Sequence, residues 1–253
     1  MNNSLADRFS LSQKTAVVTG GNGLLGKKSC SALAEKGANV VIVDLDEQQS
    51  QKHSQILKNQ FGIGSIGVEC DVSDPESVKR MVARTVKEFG EINILHNNAV
   101  ARTSNLEEFL KPFEDCSLET WKESMSVNID GMFLVAQAVG KQMVAQKKGG
   151  SIIQMASIYG MVGPDFRIYE GSSYLNQKIT THPAYATAKA AVIGLTRFLA
   201  TYWADKGIRV NTLTPGGVES GQNNEFVKNY SSKVPMGRMA KADELSGALI
   251  YLA

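Results

Sequence analysis

Six short runs rich in β-branched and aliphatic residues, at 14–19, 39–43, 65–70, 92–96, 151–156 and 208–213, alternate along this chain with stretches of helical pattern at 24–36, 46–60, 75–89, 117–147 and 184–205. That alternation limits the possible folds more than any other feature. A strand, a helix and a second strand in one sheet join most readily as a parallel pair with a right-handed crossover. The helix ends are marked chemically. Gly37, Gly62, Gly90 and Gly207 follow them, and Asp74-Pro75-Glu76 supplies an N-cap, a proline in the first turn and an acid. The pattern predicts an α/β protein: one doubly wound domain over residues 1–253, with a mostly or wholly parallel sheet and helices on both faces. A chain of 253 residues, 43% hydrophobic, can bury such a core. The net charge is +2 and no basic run occurs, which gives no sign of nucleic acid or a membrane surface. No apolar run reaches the roughly 18 residues of a membrane span. Cys30, Cys70 and Cys116 are scattered without metal-ligand or disulfide spacing. These features predict a soluble cytoplasmic protein with no metal.

In a sheet of this kind, ligands bind where the carboxyl ends of the strands meet the following loops. Thr19-Gly20-Gly21-Asn22-Gly23-Leu24-Leu25-Gly26 occupies the first such turn. Glycines there allow a tight turn and close backbone approach, and the helix N-terminus offers free N–H groups to a pyrophosphate. Asp44, at the end of the second strand, can accept the ribose hydroxyls of an adenosine and would repel a 2′-phosphate. Leu45 follows it, where a cation would be needed to offset that repulsion. NAD is therefore expected in preference to NADP. Asp44 can also be read as the N-cap of the helix beginning near Asp46. Farther along, Tyr185 and Lys189 stand one helical turn apart on one face. An ammonium beside a phenol favours the phenolate, which suits proton exchange at a carbonyl. Tyr174 and Lys178 repeat the spacing, but Pro183 would break a helix carrying them, and the pattern after Tyr185 is helical throughout.

In combination these residues resemble the short-chain dehydrogenase/reductase family, in its short, single-domain branch with a Rossmann-type fold, from about residue 14 to 253. Asp71-Val72 resembles the pair that contacts adenine. Asn97-Asn98-Ala99 resembles the segment after the fourth strand that supports the sheet beside the cofactor. Asn128 matches the helix residue that holds a proton-relay water, and Ser157 the serine after the fifth strand. Asn211-Thr212-Leu213-Thr214-Pro215-Gly216 matches the turn after the sixth strand. The resemblance implies a catalytic set of Asn128, Ser157, Tyr185 and Lys189. It implies cofactor contacts from Gly20, Asn22, Gly23, Leu24, Leu25, Gly26, Asp44, Asp71, Val72, Asn98, Ala99, Tyr185, Lys189, Pro215 and Gly216, with Val218 and Ser220 at the nicotinamide carboxamide. Tyr185 would exchange a proton with the substrate oxygen, Ser157 would hold that oxygen, and Lys189 would tune Tyr185 and bind the nicotinamide ribose.

The chain also departs from the family pattern. Its glycines follow the spacing of the longer, sugar-nucleotide-modifying branch, which keeps open an epimerase or dehydratase with tightly held NAD. A non-catalytic dinucleotide-binding protein is a further alternative. Val100 replaces the usual glycine after Asn97-Asn98-Ala99. Ser157 and Tyr185 are about twice as far apart as is usual, through an insert at about 160–182. The seventh strand that normally closes the sheet is not found after Ala248–Ala253. The insert carries Asp165, Arg167, Tyr169, Glu170, Tyr174, Asn176, Lys178 and His182. Aromatic faces among donors and acceptors suit a hydroxylated ring, and Arg or Lys could hold a phosphate. The expected reaction is therefore NAD-dependent interconversion of a secondary alcohol and a ketone on a sugar or sugar-phosphate derivative. Segment 155–163, the insert and segment 215–230 are similar to members associated with bacterial surface-sugar and flagellin-glycan synthesis. A homodimer or homotetramer is expected, built on the helices at 117–147 and 184–205. Of the histidines, His53 reads as solvated, His96 as a hydrogen-bonded core residue and His182 as a possible substrate contact.

Overall fold

The computed structural model describes residues 8–101, 105–174, 177–178 and 180–253. The expected strands appear as β1 (Thr15–Thr19), β2 (Asn39–Asp44), β3 (Ser65–Glu69), β4 (Ile94–Asn97) and β5 (Gly150–Met155). A short hairpin, β6 (Ser173–Tyr174) with β7 (Gln177–Lys178), stands apart from the sheet, and β8 (Ile208–Leu213) completes it. The sheet order is β3-β2-β1-β4-β5-β8, and each of its pairings is parallel. The order reverses between β1 and β4, which opens the ligand crevice at their carboxyl ends.

The helices are α1 (Leu24–Glu35), α2 (Glu47–Phe61), α3 (Pro75–Phe89), α4 (Leu106–Phe109), α5 (Leu118–Met125), α6 (Met132–Gln146), α7 (Pro183–Tyr202), α8 (Asn224–Lys233) and α9 (Ser246–Leu252). Strand residues alternate between two cores. Val17, Val41, Leu95 and Ile152 pack with Met81, Val135, Val139 and Trp203 on one face. Val18, Ile42, Ile94 and Ile153 pack with Leu33, Leu57 and Leu249 on the other. Both faces are covered, so the strands read as continuous apolar runs rather than alternating ones. Among the described residues, no helix is long and apolar enough to cross a membrane, and no cluster of His, Cys, Asp or Glu could hold a metal ion.

Three local features differ from expectation. The fourth strand starts at Ile94 rather than residue 92, because the Ile92 N–H donates to Gln146 Oε1 on α6 at 3.2 Å and so has no strand partner. The long helix at 117–147 is split into α5 and α6 by a π-helical segment, Ser126–Gly131, which contains Asn128. Such segments are rare and frequently sit at functional sites. Helix 184–205 begins one residue earlier, at Pro183, and ends at Tyr202; a 3₁₀ turn, Ala204–Lys206, then closes on Gly207 in the left-handed region.

Candidate active site

The glycine-rich turn is shaped for close backbone approach. Gly20 has φ of 63°, and a side chain there would press on the Ala99 backbone. A side chain at Gly26 would collide with the Gly20 carbonyl, so only glycine lets α1 begin so close to the turn. The Ncap of α1 is Gly23, which supplies no side-chain acceptor, and the first turn carries no acid. Elsewhere, Asp46, Asp74 and Ser117 cap α2, α3 and α5 through their side chains. The α1 terminus alone among these four keeps its N–H groups for an external anion. Asp44 accepts the Asn22 N–H at 2.8 Å and the Leu45 N–H at 2.9 Å. It therefore fixes the turn from the tip of β2, and the cap of α2 is Asp46, not Asp44.

Two asparagines lock the neighbouring strand ends. Asn98 Nδ2 donates to the Thr19 carbonyl at 3.0 Å, and the N–H groups of Asn98 and Ala99 both donate to Thr19 Oγ1. Asn97 Nδ2 reaches the Met132 carbonyl at 2.8 Å, tying β4 to the start of α6. Asp71 closes its own turn, accepting from Ser73 N–H and Oγ at 2.8 and 2.6 Å, while Val72 is buried against the core. These bonds hold the loops after β1, β3 and β4 in fixed positions at the carboxyl end of the sheet.

Ser157, Tyr185, Lys189 and Asn128 converge beyond the ends of β4 and β5. Ser157 begins a 3₁₀ turn, Ile158–Gly160, and its Oγ accepts the Tyr159 N–H at 3.3 Å. That turn packs on α7 so tightly that a side chain on Gly160 would stand 2.5 Å from the Lys189 carbonyl. Lys189 is buried, and its Nζ donates to the Met155 carbonyl at 2.7 Å, 5.8 Å from the centroid of the half-buried Tyr185 ring. Burial lowers the Lys189 ammonium to about 8. Asn128 is buried on the π segment, which packs against α7. Its Oδ1 accepts the Ala101 N–H at 3.0 Å, and its Nδ2 donates to the Ala101 carbonyl and to Ser124 Oγ.

The turn after β8 crosses this site. The Pro215 carbonyl accepts the Ile158 N–H at 3.0 Å, joining it to the Ser157 turn. Gly216 is exposed. Gln222 accepts the Ser220 N–H at 2.7 Å and donates to the Val218 carbonyl at 2.9 Å, which fixes the segment that carries Val218 and Ser220. Tyr230 Oη accepts the Gly217 N–H at 2.5 Å and anchors α8 to the turn.

The insert docks on α8. Ser172 bonds Asn223 at 3.2 Å, Asn229 Nδ2 donates to the Glu170 carbonyl at 2.9 Å, and the Tyr169 and Phe226 rings meet at 5.6 Å. Burial pushes the phenols of Tyr159, Tyr169 and Tyr230 up, and each feels the charge of Tyr185. Arg167, a candidate phosphate ligand, is instead held by Asp165 through bonds of 2.8 and 2.7 Å. Tyr174 and Lys178 fall on the β6–β7 hairpin rather than on a helix, and Asn176 lies outside the described residues.

Sequence reasoning missed two contributors and the capping role of a third. The Met155 carbonyl is a backbone group and leaves no trace in the sequence. Tyr230 carries no motif. His182 proves to be the buried N-cap of α7, its Nδ1 accepting the Ala184 N–H at 3.2 Å, and its place immediately before Pro183 was the available clue. His96 is buried as expected, close to the Ile153 backbone, and neither ring nitrogen makes a well-formed hydrogen bond among the described residues. His53 is half-buried rather than solvated.

The uncapped α1 terminus and the glycines that only a close-lying ligand or backbone requires fit a dinucleotide. Comparison with known proteins agrees. The short chain dehydrogenase profile matches residues 14–231. D-threitol dehydrogenase of Mycolicibacterium smegmatis is 35% identical across 97% of this chain and 87% of its own length. NAD-dependent glycerol dehydrogenase of Listeria innocua is 30% identical across 96% and 88%. The structure of a gluconate 5-dehydrogenase from Burkholderia cenocepacia, in complex with NADP and tartrate, superposes with a TM-score of 0.86 at 30% identity, covering 99% of this chain and 91% of that one. With fold, strand-end glycines and whole-length similarity in agreement, the chain belongs to the short-chain dehydrogenase family, whose members bind NAD(P) and act as oxidoreductases on CH–OH groups.

Proposed function

We propose that this protein interconverts a secondary alcohol of a polyol or sugar derivative and the corresponding ketone, using NAD. One observation carries the assignment: the buried Lys189 ammonium lies beside the Tyr185 ring where the Ser157 turn packs onto α7. When bound, the nicotinamide supplies the acceptor for the hydride that leaves the carbinol carbon. Tyr185 takes the hydroxyl proton in oxidation and returns it in reduction. Ser157 donates a hydrogen bond to the same oxygen, and Lys189 sets a positive charge against the negative charge that develops there. Asn128, whose side chain is fixed by Ala101 and Ser124, seats the relay water on the π segment. Gly20, Gly23 and the α1 terminus would hold the pyrophosphate, and Asp44 the ribose.

Asp44 and the exposed Leu45 beside it support NAD over NADP. The neutral phenols near Tyr185 support a hydroxyl-rich substrate, in keeping with the names of the threitol and glycerol dehydrogenases. Because Asp165 occupies Arg167, an unphosphorylated substrate is favoured. A role in surface-sugar or flagellin-glycan synthesis rests only on the likeness of segment 155–163, the insert and segment 215–230. We place the enzyme in the cytoplasm, where its free cysteines suit a reducing medium, and expect at least a dimer through α6 and α7.

The test is a panel of polyols, sugars, acyl ketones and steroid ketones, followed by NADH absorbance, with calorimetric titration of NAD and NADP. Tyr185→Phe should abolish turnover and retain NAD binding, while Tyr174→Phe stays active. Preference for acyl or steroid ketones, or equal affinity for the two cofactors, would overturn the assignment.

A further inference from the structure

We infer that His182 is a positioning residue for Tyr185: its neutral Nδ1 holds the first turn of α7 in place, and protonation of the ring releases that turn. The inference rests on Tyr185 being the proton-exchanging group proposed above. Pro183 has no N–H, so the first donors of α7 belong to Ala184 and Tyr185. His182 takes both. Its Nδ1 accepts the Ala184 N–H at 3.2 Å, and its carbonyl accepts the Tyr185 N–H at 3.1 Å. The orientation of the catalytic phenol therefore begins at this residue.

An imidazole is an unusual N-cap. Ser, Thr, Asp and Asn are preferred, and the other helical turns in this chain that have a side-chain cap use those residues. A histidine can accept at Nδ1 only while that nitrogen is unprotonated. The ring is 1% exposed and stacks on Phe109 of α4 with centroids 5.0 Å apart and planes 20° apart. Its Nε2 is buried and has no hydrogen-bond partner among the described residues. A proton arriving at Nδ1 would remove the cap acceptor. It would also place a cation in an apolar stack at the positive end of a helix dipole.

Among the described residues, the titratable and charged groups nearest in the chain to Phe109 and His182 are Glu107, Glu108 and Lys111 beside the one and Tyr185 and Lys189 beside the other, with Tyr169 on the insert. Glu108 and Lys111 pair with each other at 2.5 Å. None of these groups shifts the imidazole, and burial alone pushes it below its ordinary range.

The test uses initial rates of ketone reduction across pH for wild type, His182→Asn and His182→Ala. In reduction Tyr185 must carry its proton, so lowering the pH does not deplete it, and an acid-side loss has to come from elsewhere. The wild-type rate should fall on the acid side of the ordinary imidazole value of 6.5, because burial lowers the ring's pKa. His182→Asn keeps an N-cap acceptor that does not titrate. It should match wild type near pH 7.5 and stay level to about pH 5. His182→Ala should lose roughly tenfold in kcat, with KM for NAD changed less than about threefold. A level wild-type profile, or an acid limb in His182→Asn identical to wild type, would overturn the inference. If His182→Ala does not fold, the His182→Asn profile still decides. Tyr185→Phe, assayed in parallel, separates the two claims: activity there removes the catalytic assignment, and this inference with it.

Discussion

Lys189 shows how a single residue can be costly to the fold and useful to the site. Burial brings its pKa down from the ordinary 10.5 to about 8, so the native state favours the neutral amine more than the unfolded chain does. The cost is full below pH 8 and disappears as pH rises through 10.5. It is on the order of 3 kcal/mol at neutral pH. Lys189→Met removes that cost and leaves the Met155 carbonyl without its donor, a loss of about 1 kcal/mol. The variant should therefore be more stable than wild type by about 2 kcal/mol at pH 7 in urea titration, while its kcat falls by at least roughly 100-fold. Lower stability together with lost activity would show that the ammonium also supports the fold.

At the scale of elements, the site depends on how closely the Ser157 turn lies on α7. Gly160→Ala would drive a methyl group into the Lys189 backbone and push the two apart. We expect a stability loss of about 1–3 kcal/mol and a disproportionate fall in kcat, with NAD affinity little changed in calorimetry. The same scale shows what the sequence made legible. Strand and helix positions were readable because β-branched runs, Gly C-caps and Asp74-Pro75 act locally. Asp44 and the Thr19–Gly26 turn were readable because their neighbours in the chain set their context. The π segment at Ser126–Gly131 was not, because it arises where α6 meets Asn97 and α7. The docking of the insert on α8 was not either, since it joins polar side chains and backbone carbonyls across about 50 residues of chain.

For the whole molecule, acid sensitivity should follow from buried histidines. His96 is fully buried, and desolvation lowers its pKa to about 4. The unfolded chain therefore takes up a proton near pH 6.5 that the native state refuses. Stability should be intact above pH 7 and fall by about 3 kcal/mol as pH drops toward 4. His96→Phe should flatten that decline in thermal scans, and an unchanged slope would assign the loss to other groups. Assembly belongs to this scale too. Phe198 and Tyr202 stack at 5.5 Å on the outer face of α7, both well exposed, and Phe133 is exposed on α6. Phe198→Arg should convert the proposed dimer to monomer in light scattering at micromolar concentration. The insert has one more consequence for the enzyme as a whole. It leaves the sheet just after Ser157, is laced to α8 through Ser172, Glu170 and Tyr169, and rejoins the fold at His182, three residues before Tyr185. A strap whose two ends carry the proposed oxygen-binding serine and proton-exchanging tyrosine cannot swing as a free flap. Any load that lifts it is delivered to the reacting atoms, so admission to the cleft and speed within it are mechanically geared together. Across a series of polyols of increasing bulk, the larger members should lose turnover number itself and not merely bind more weakly.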